Sequence, residues 1–147
     1  MSSMTEALAG RTVLVPRGGA WGERVARLLV DRGAVPVIAP LIETKPPRDL
    51  EARDRFFADL AAGTYDWVFI TSAAAVEHLR AAGIEIPAAT RVAAVGRATA
   101  RAVVDAGFEV DFVPAGRSSA LALTQQWCSA HEPARVGRCL VLRSDLA

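Results

Sequence analysis

The chain has 147 residues, 52% of them apolar and 22% charged, which suits one compact domain with a real core or one domain and a piece of another. Seventeen Lys and Arg against sixteen Asp and Glu leave a net charge of +1, so no global basic field exists for a nucleic acid or an anionic membrane, and any anion must be bound locally. The most apolar uncharged run, around Trp67 to Val76, is far below the roughly 20 residues of a membrane span, and MSSMTEALAG lacks the basic start of a signal peptide, so a cytoplasmic address with no membrane partner is expected.

Thr12–Val15 is a short apolar run ending in Pro16-Arg17-Gly18-Gly19, the pattern of a strand and a tight loop. Trp21, Val25, Leu28 and Leu29 then recur at helical spacing, with Gly33 as the stop. Val35 to Ile42 reads as a second strand, so residues 1–42 predict one strand-helix-strand unit with a right-handed crossover. Residues 43–49, ETKPPRD, are the least foldable stretch and are predicted to be a hinge. Leu50, Phe56, Phe57 and Leu60 predict a helix closed by Gly63, and Asp66–Ile70 a buried strand. Thr71 and Ser72 can cap the next helix, whose Val76, Leu79 and Ala82 share a face before Gly83.

The rhythm repeats with strand Arg91–Val95, helix Ala98–Ala106 and strand Glu109–Val113, then a helix near Ser119–His131 and a strand Gly137–Leu142. Alternating strands and helices over the whole chain predict an α/β protein with a doubly wound parallel sheet covered on both faces. Cys128 and Cys139 are eleven apart without a CxxC and are expected to be reduced thiols.

Ligands of open parallel sheets bind beyond the carboxyl ends of the strands. The loops there read Pro16-Arg17-Gly18-Gly19, Thr71-Ser72-Ala73, Gly96-Arg97-Ala98-Thr99, Ala115-Gly116-Arg117-Ser118 and Arg143-Ser144-Asp145. Four of the five contain an arginine and four contain Ser or Thr. Any one of these hydroxyls is more simply a helix cap, but their coincidence over several loops predicts an anion-binding rim, in which guanidinium forks match carboxylates.

Other chemistries lack their residues. No GxGxxG or GxxxxGK[ST] follows the first strand, which removes the phosphate cradles of dinucleotide and P-loop sites. His78 has no second ligand at metal spacing, and Cys128 with His131 has no partner pair, so no metal is expected and both histidines are read as helix-surface residues. Ser72 lacks a nucleophile elbow, and Tyr65 precedes its strand at the amino edge. Trp67, Phe69 and Ile70 read as core.

VLVPR (13–17), PLIET (40–44), DWVFITSAAAVEHL (66–79), VAAVGRATARAVVDAGF (92–108) and CLVLRSD (139–145) together resemble the uroporphyrinogen-III synthase family, over Arg11 to Asp145. The resemblance implies two flavodoxin-like lobes, with residues 1–42 opening an incomplete first lobe, 43–49 a connector, and 50–147 most of the second. On that pattern the chain stops short of the end of the second lobe, the return connector and most of the first. The implied reaction closes hydroxymethylbilane to uroporphyrinogen III with loss of water and inversion of the last pyrrole ring through a spiro intermediate. It implies no metal or organic cofactor, a monomer at full length, and a small-molecule partner with eight carboxylates.

Carried over by motif, Thr71, Ser72 and Ala73, and Gly96, Arg97, Ala98 and Thr99, match family loops that bind substrate carboxylates through backbone amides. Arg17 and Arg143-Ser144-Asp145 match strand-terminal positions, with Ser144 where a glycine is more usual. Ser118 joins the expected substrate contacts from the rim itself, and no catalytic acid or base is nominated. The alternative reading of the same residues is a non-enzymatic anion-binding or regulatory module, or an inactive fragment.

Overall fold

In the computed structural model, which describes residues 7–41, 45–132 and 136–143, every strand runs parallel to its neighbour. Two compact units divide the chain, Met1–Lys45 and Pro46–Ala147. The first contains β1 (Thr12–Val15), α1 (Gly19–Val30) and β2 (Val35–Ile38), with Thr12 opposite Val35 and Val15 opposite Ile38. Alternation along the strands sends Val13 and Val15 to one face of this pair and Thr12 and Leu14 to the other. Val15 is buried, whereas Leu14 is 55% and Val37, its ladder partner, 45% exposed.

The expected strand to Ile42 ends at Ile38. Ala39 N–H and Leu41 N–H still reach the carbonyls of Val15 and Pro16, each at 3.0 Å, but Pro40 between them has no N–H and the regular ladder stops. Residues 42–44, part of the predicted strand end and hinge, lie outside the described residues.

The second unit runs α2 (Leu50–Ala61), β3 (Trp67–Ile70), α3 (Ala73–Ala81), β4 (Arg91–Ala94), α4 (Arg97–Asp105), α5 (Ala120–Ala130) and β5 (Cys139–Leu142). Its sheet has the order β4-β3-β5. The predicted strand 109–113 is reduced to a bridge between Phe112 and Ala93. The reason is Asp111, whose carboxylate accepts the Val92 N–H at 2.7 Å in place of a backbone carbonyl, while Val92 O takes both Asp111 N–H and Phe112 N–H.

Period-two alternation in β3 builds both cores. Val68 and Ile70 enter a cluster with Phe57 and Leu60 of α2, Val76 and Leu79 of α3 and Val103 of α4. Trp67 and Phe69 point the other way, onto Leu123 and Trp127 of α5. Helices therefore cover both faces of the sheet, as the doubly wound pattern requires.

Helices α1 to α4 share one ending. In α3 the Gly83 N–H donates to Arg80 O and the Ile84 N–H to Leu79 O, a Schellman motif that Gly83 permits at φ 66°. Gly33, Gly63 and Gly107 close the other three in the same way, so Gly33, Gly63 and Gly83, the glycines that end helices in the sequence reading, are stops in the fold. No helix of the described residues is long and apolar enough to cross a membrane.

Leu79 is fully buried and Leu121 is 68% exposed. Leu79→Ala is expected to cost about 2–5 kcal/mol of stability by transfer and cavity terms, and Leu121→Ala to stay within about 0.5 kcal/mol. Urea midpoints followed by tryptophan fluorescence check the pair.

Candidate functional site

Each crossover of the second unit brings the carboxyl ends of its strands to one edge of the sheet. From β3 the chain moves outward to β4 and then to Phe112, whereas β5 lies on the other side of β3. The carboxyl ends of β3 and β5 thus flank a topological switch point, where open α/β sheets leave a crevice. There Thr71 fastens the two strands together. Its N–H and its hydroxyl both donate to Leu142 O, at 3.2 and 2.8 Å. The hydroxyl proton is thereby committed within the protein, so Thr71 serves the crevice through the chain it holds in place.

Ser72 is the N-cap of α3, its Oγ accepting from Ala75 N–H at 3.3 Å, which leaves its own proton to donate. The first-turn N–H groups of Ala73 and Ala74 have no acceptor inside the helix. Thr71, Ser72 and Ala73 are all half-buried, positioned to meet a ligand without being fully solvated.

The next loop is built differently. Gly96 is the N-cap of α4 and supplies no side-chain bond, so the N–H groups of Arg97, Ala98 and Thr99 face the amino end of α4 with no cap. Gly96 is extended, a conformation open to any residue, but it is buried against Ser118, and a Cβ there would collide with the Ser118 hydroxyl. The glycine is required by this close approach. Thr99 is buried, whereas Arg97 and Ala98 are exposed. Ser118 therefore lies beside the Gly96–Thr99 loop, and two of the loops singled out in the sequence meet.

The 114–119 segment is held from below by Gln126 of α5, which accepts from Ala115 N–H at 2.8 Å and donates to Ala115 O at 3.1 Å. Ser119 caps α5 through Ala122 N–H. Arg97, Arg117 and Arg143 are exposed and form no ion pair among the described residues, so their guanidinium groups stand open to an external carboxylate. Ser144 and Asp145 lie outside the described residues.

Arg17 belongs to the first unit. It follows β1 and is exposed, its guanidinium 5.6 Å from the centre of the Trp21 ring, within cation–π range. Helix α1 also starts on a glycine, Gly18, without a side-chain cap. The preceding loop folds so closely onto its first turn that a Cβ on Gly22 would collide with the Arg17 carbonyl.

Three contributors were not singled out from the sequence. Gly22 carried a signal, since a glycine inside a helix costs about 1 kcal/mol relative to alanine and needs a reason. Asp111 and Gln126 carried none, because their partners are backbone groups of distant or non-repetitive segments. His131 also departs from the surface role expected of it. It is half-buried, stacked on Trp127 at 4.8 Å, edge-on to Trp67 at 5.0 Å, with Nδ1 at 2.9 Å from Trp127 O. Both cysteines are free thiols. Desolvation, and secondarily the Asp66 carboxylate, raise the pKa of Cys139, the reverse of what an activated nucleophile needs. A cleft of about 430 Å³ lined by Arg80, Ile84, Ile86 and Phe108 lies at the opposite edge, where helices return to strands.

The profile of the family described as uroporphyrinogen-III synthase HemD matches residues 23–147. Among solved structures, a mutant uroporphyrinogen III synthase from the extremely thermophilic bacterium Thermus thermophilus superposes with a TM-score of 0.58 at 22% identity, covering 91% of this chain and 61% of that one. The wild-type enzyme from the same bacterium gives a TM-score of 0.49 at 22% identity, with 91% and 60% covered. At this identity the likeness, which rests on the first of the two, is one of fold. The chain spans about 60% of the length of these structures. No curated protein matches it.

The packing of Gly96 on Ser118 is testable by a double-mutant cycle. Gly96→Ala should destabilise the protein by about 1–3 kcal/mol through overpacking, and adding Ser118→Gly should recover most of that loss, since the Ser118 side chain supplies the nearest colliding atoms. Thermal denaturation of the four proteins reads the coupling.

Proposed function

The chain belongs to the uroporphyrinogen-III synthase family, and we propose that the protein carrying it closes hydroxymethylbilane to uroporphyrinogen III, in the biosynthesis of haem and other tetrapyrroles. The match across residues 23–147 is the observation that supports this most strongly. On this reading residues 1–42 open one flavodoxin-like lobe, 43–49 connect, and 50–147 build most of the other. The protein works as a monomer in the cytoplasm.

The reaction breaks the bond between the hydroxymethyl carbon and its oxygen, releases water, and joins that carbon to the substituted carbon of the last pyrrole ring. It then moves that ring's methylene bridge from the substituted carbon to the free one, whose lost proton balances the water, with no net change in oxidation state. Without guidance the nearest nucleophile is the free carbon of that ring, which gives the unrearranged macrocycle. Formation of the spiro intermediate requires the substituted carbon to be nearer. The protein's task is therefore orientation, an effect that reaches roughly 7–11 kcal/mol where reactants are fully held, of which a preference between two carbons needs only a part.

A linear substrate with eight carboxylates gives a near-neutral protein many handles. We assign those handles to the N–H groups of Ala73, to Arg97, Ala98 and Thr99 at the uncapped start of α4, to the Ser72 and Ser118 hydroxyls, and to the guanidinium groups of Arg17, Arg97 and Arg143. Thr71 and Gly96 act through the backbone they position, and Ser144, next in sequence to Arg143, is assigned a further contact. A carboxylate at a helix amino end gains charge-assisted hydrogen bonds of about 1.5–3 kcal/mol each in addition to the dipole. The donors sit on rigid helix starts, so each gripped carboxylate fixes one pyrrole ring relative to the next.

Incubating the purified protein with hydroxymethylbilane, oxidising the products and separating the porphyrin isomers tests the proposal. Isomer III is expected in excess, and isomer I alone would rule the activity out. Within that assay Arg97→Ala should raise KM about tenfold, equivalent to about 1.4 kcal/mol, with a smaller effect on kcat. A KM unchanged by Arg97→Ala would remove that arginine from the substrate contacts.

A further inference from the structure

The loop between Phe112 and α5 has little regular structure of its own, yet it delivers Ser118 onto the backbone of Gly96 at the start of α4. Among the described residues, one side chain hydrogen-bonds to its backbone. The Gln126 amide accepts from Ala115 N–H at 2.8 Å and donates to Ala115 O at 3.1 Å, so both polar groups of one loop residue are satisfied by a single amide, as a neighbouring strand would satisfy them. Gly116, at φ 75°, turns the chain immediately afterwards, and Arg117 and Ser118 follow.

Gln126 is itself anchored. The next residue, Trp127, is 6% exposed and packs edge-on against Trp67 at 5.3 Å and Phe69 at 5.0 Å, both on β3. Helix α5 is thus fixed to the central strand, and Gln126 transmits that position to the loop. The sequence of contacts runs from Trp67 through Trp127 and Gln126 to Ala115, and from Ser118 to Gly96.

We propose that Gln126 is a positioning residue of the substrate site, setting the 114–118 loop so that Ser118 and Arg117 flank the amino end of α4. This rests on the reading of that helix start as a carboxylate contact. Gln126 touches no substrate and acts only through Ala115. Its two hydrogen bonds are largely offset by the entropy of ordering a long side chain at a partly exposed place, so removing them should disturb the loop far more than the stability of the fold. Methionine matches the shape without either bond. Glutamate keeps the bond from Ala115 N–H and, when ionised, has no proton to give to Ala115 O.

The test compares the wild-type protein with Gln126→Met and Gln126→Glu in three measurements: amide exchange at Ala115, thermal midpoint, and steady-state kinetics with hydroxymethylbilane. Exchange at Ala115 should rise at least tenfold in Gln126→Met and less in Gln126→Glu, with midpoints within a few degrees of wild type. KM in Gln126→Met should rise about five- to tenfold while kcat changes less than about twofold, the pattern of lost ground-state binding. Unchanged exchange at Ala115 would overturn the clamp, and raised exchange with unchanged KM would overturn its role at the site. Failure of the wild-type protein to form isomer III would instead overturn the functional reading and with it the role at the site, and exchange at Ala115 would still decide the clamp.

Discussion

Burial of β3 on both faces is the constraint from which the site of the second unit follows. A four-residue strand, Trp67–Ile70, sends Val68 and Ile70 into one cluster and Trp67 and Phe69 into the other, and it has a parallel partner on each edge. Parallel pairing forces every connection to return through a crossover, and doing so on both faces gathers the starts of α3, α4 and α5 at one edge. The polar loops are there because the apolar strand admits no other arrangement.

Within the two units the helix starts divide into two kinds. Ser72 and Ser119 cap α3 and α5 from within, as Asp49 caps α2 at 2.8 Å through Ala52 N–H. Helices α1 and α4 begin on glycines with no side-chain cap. A start on glycine without a side-chain cap costs little stability, on the order of a few tenths of a kcal/mol against a good cap, and leaves donors available to an anion. At α4 the glycine has a second reason, because any side chain at position 96 would displace Ser118. One residue type thus brings two loops together and leaves the helix start open between them.

The regular elements were legible because each carries a local signal. Gly33, Gly63, Gly83 and Gly107 terminate helices by a backbone geometry that only glycine adopts at no steric expense, and DWVFI could only be a buried strand. Glu109–Val113 misled because its alternation is that of a strand while Asp111 turns its carboxylate into the ladder. His131 misled because its place at the helix end gave no hint that Trp67 and Trp127 would close around it. At the site, sequence named the loops but not their fastenings. That Thr71 holds Leu142, that Gln126 holds Ala115 and that Ser118 rests on Gly96 are contacts between segments 11 to 71 residues apart, which no local pattern encodes.

The central claim is that a polycarboxylate is gripped by backbone donors at the carboxyl edge of the sheet. Nitrogen-15 chemical-shift mapping with uroporphyrin III, a stable macrocycle bearing the same eight carboxylates as the product, addresses it most directly. The amides of Ala73, Ala74, Arg97, Ala98 and Thr99 should shift most and saturate together. Silence at these five amides, with shifts instead at Ile84, Ile86 and Phe108 on the far edge, would contradict the account.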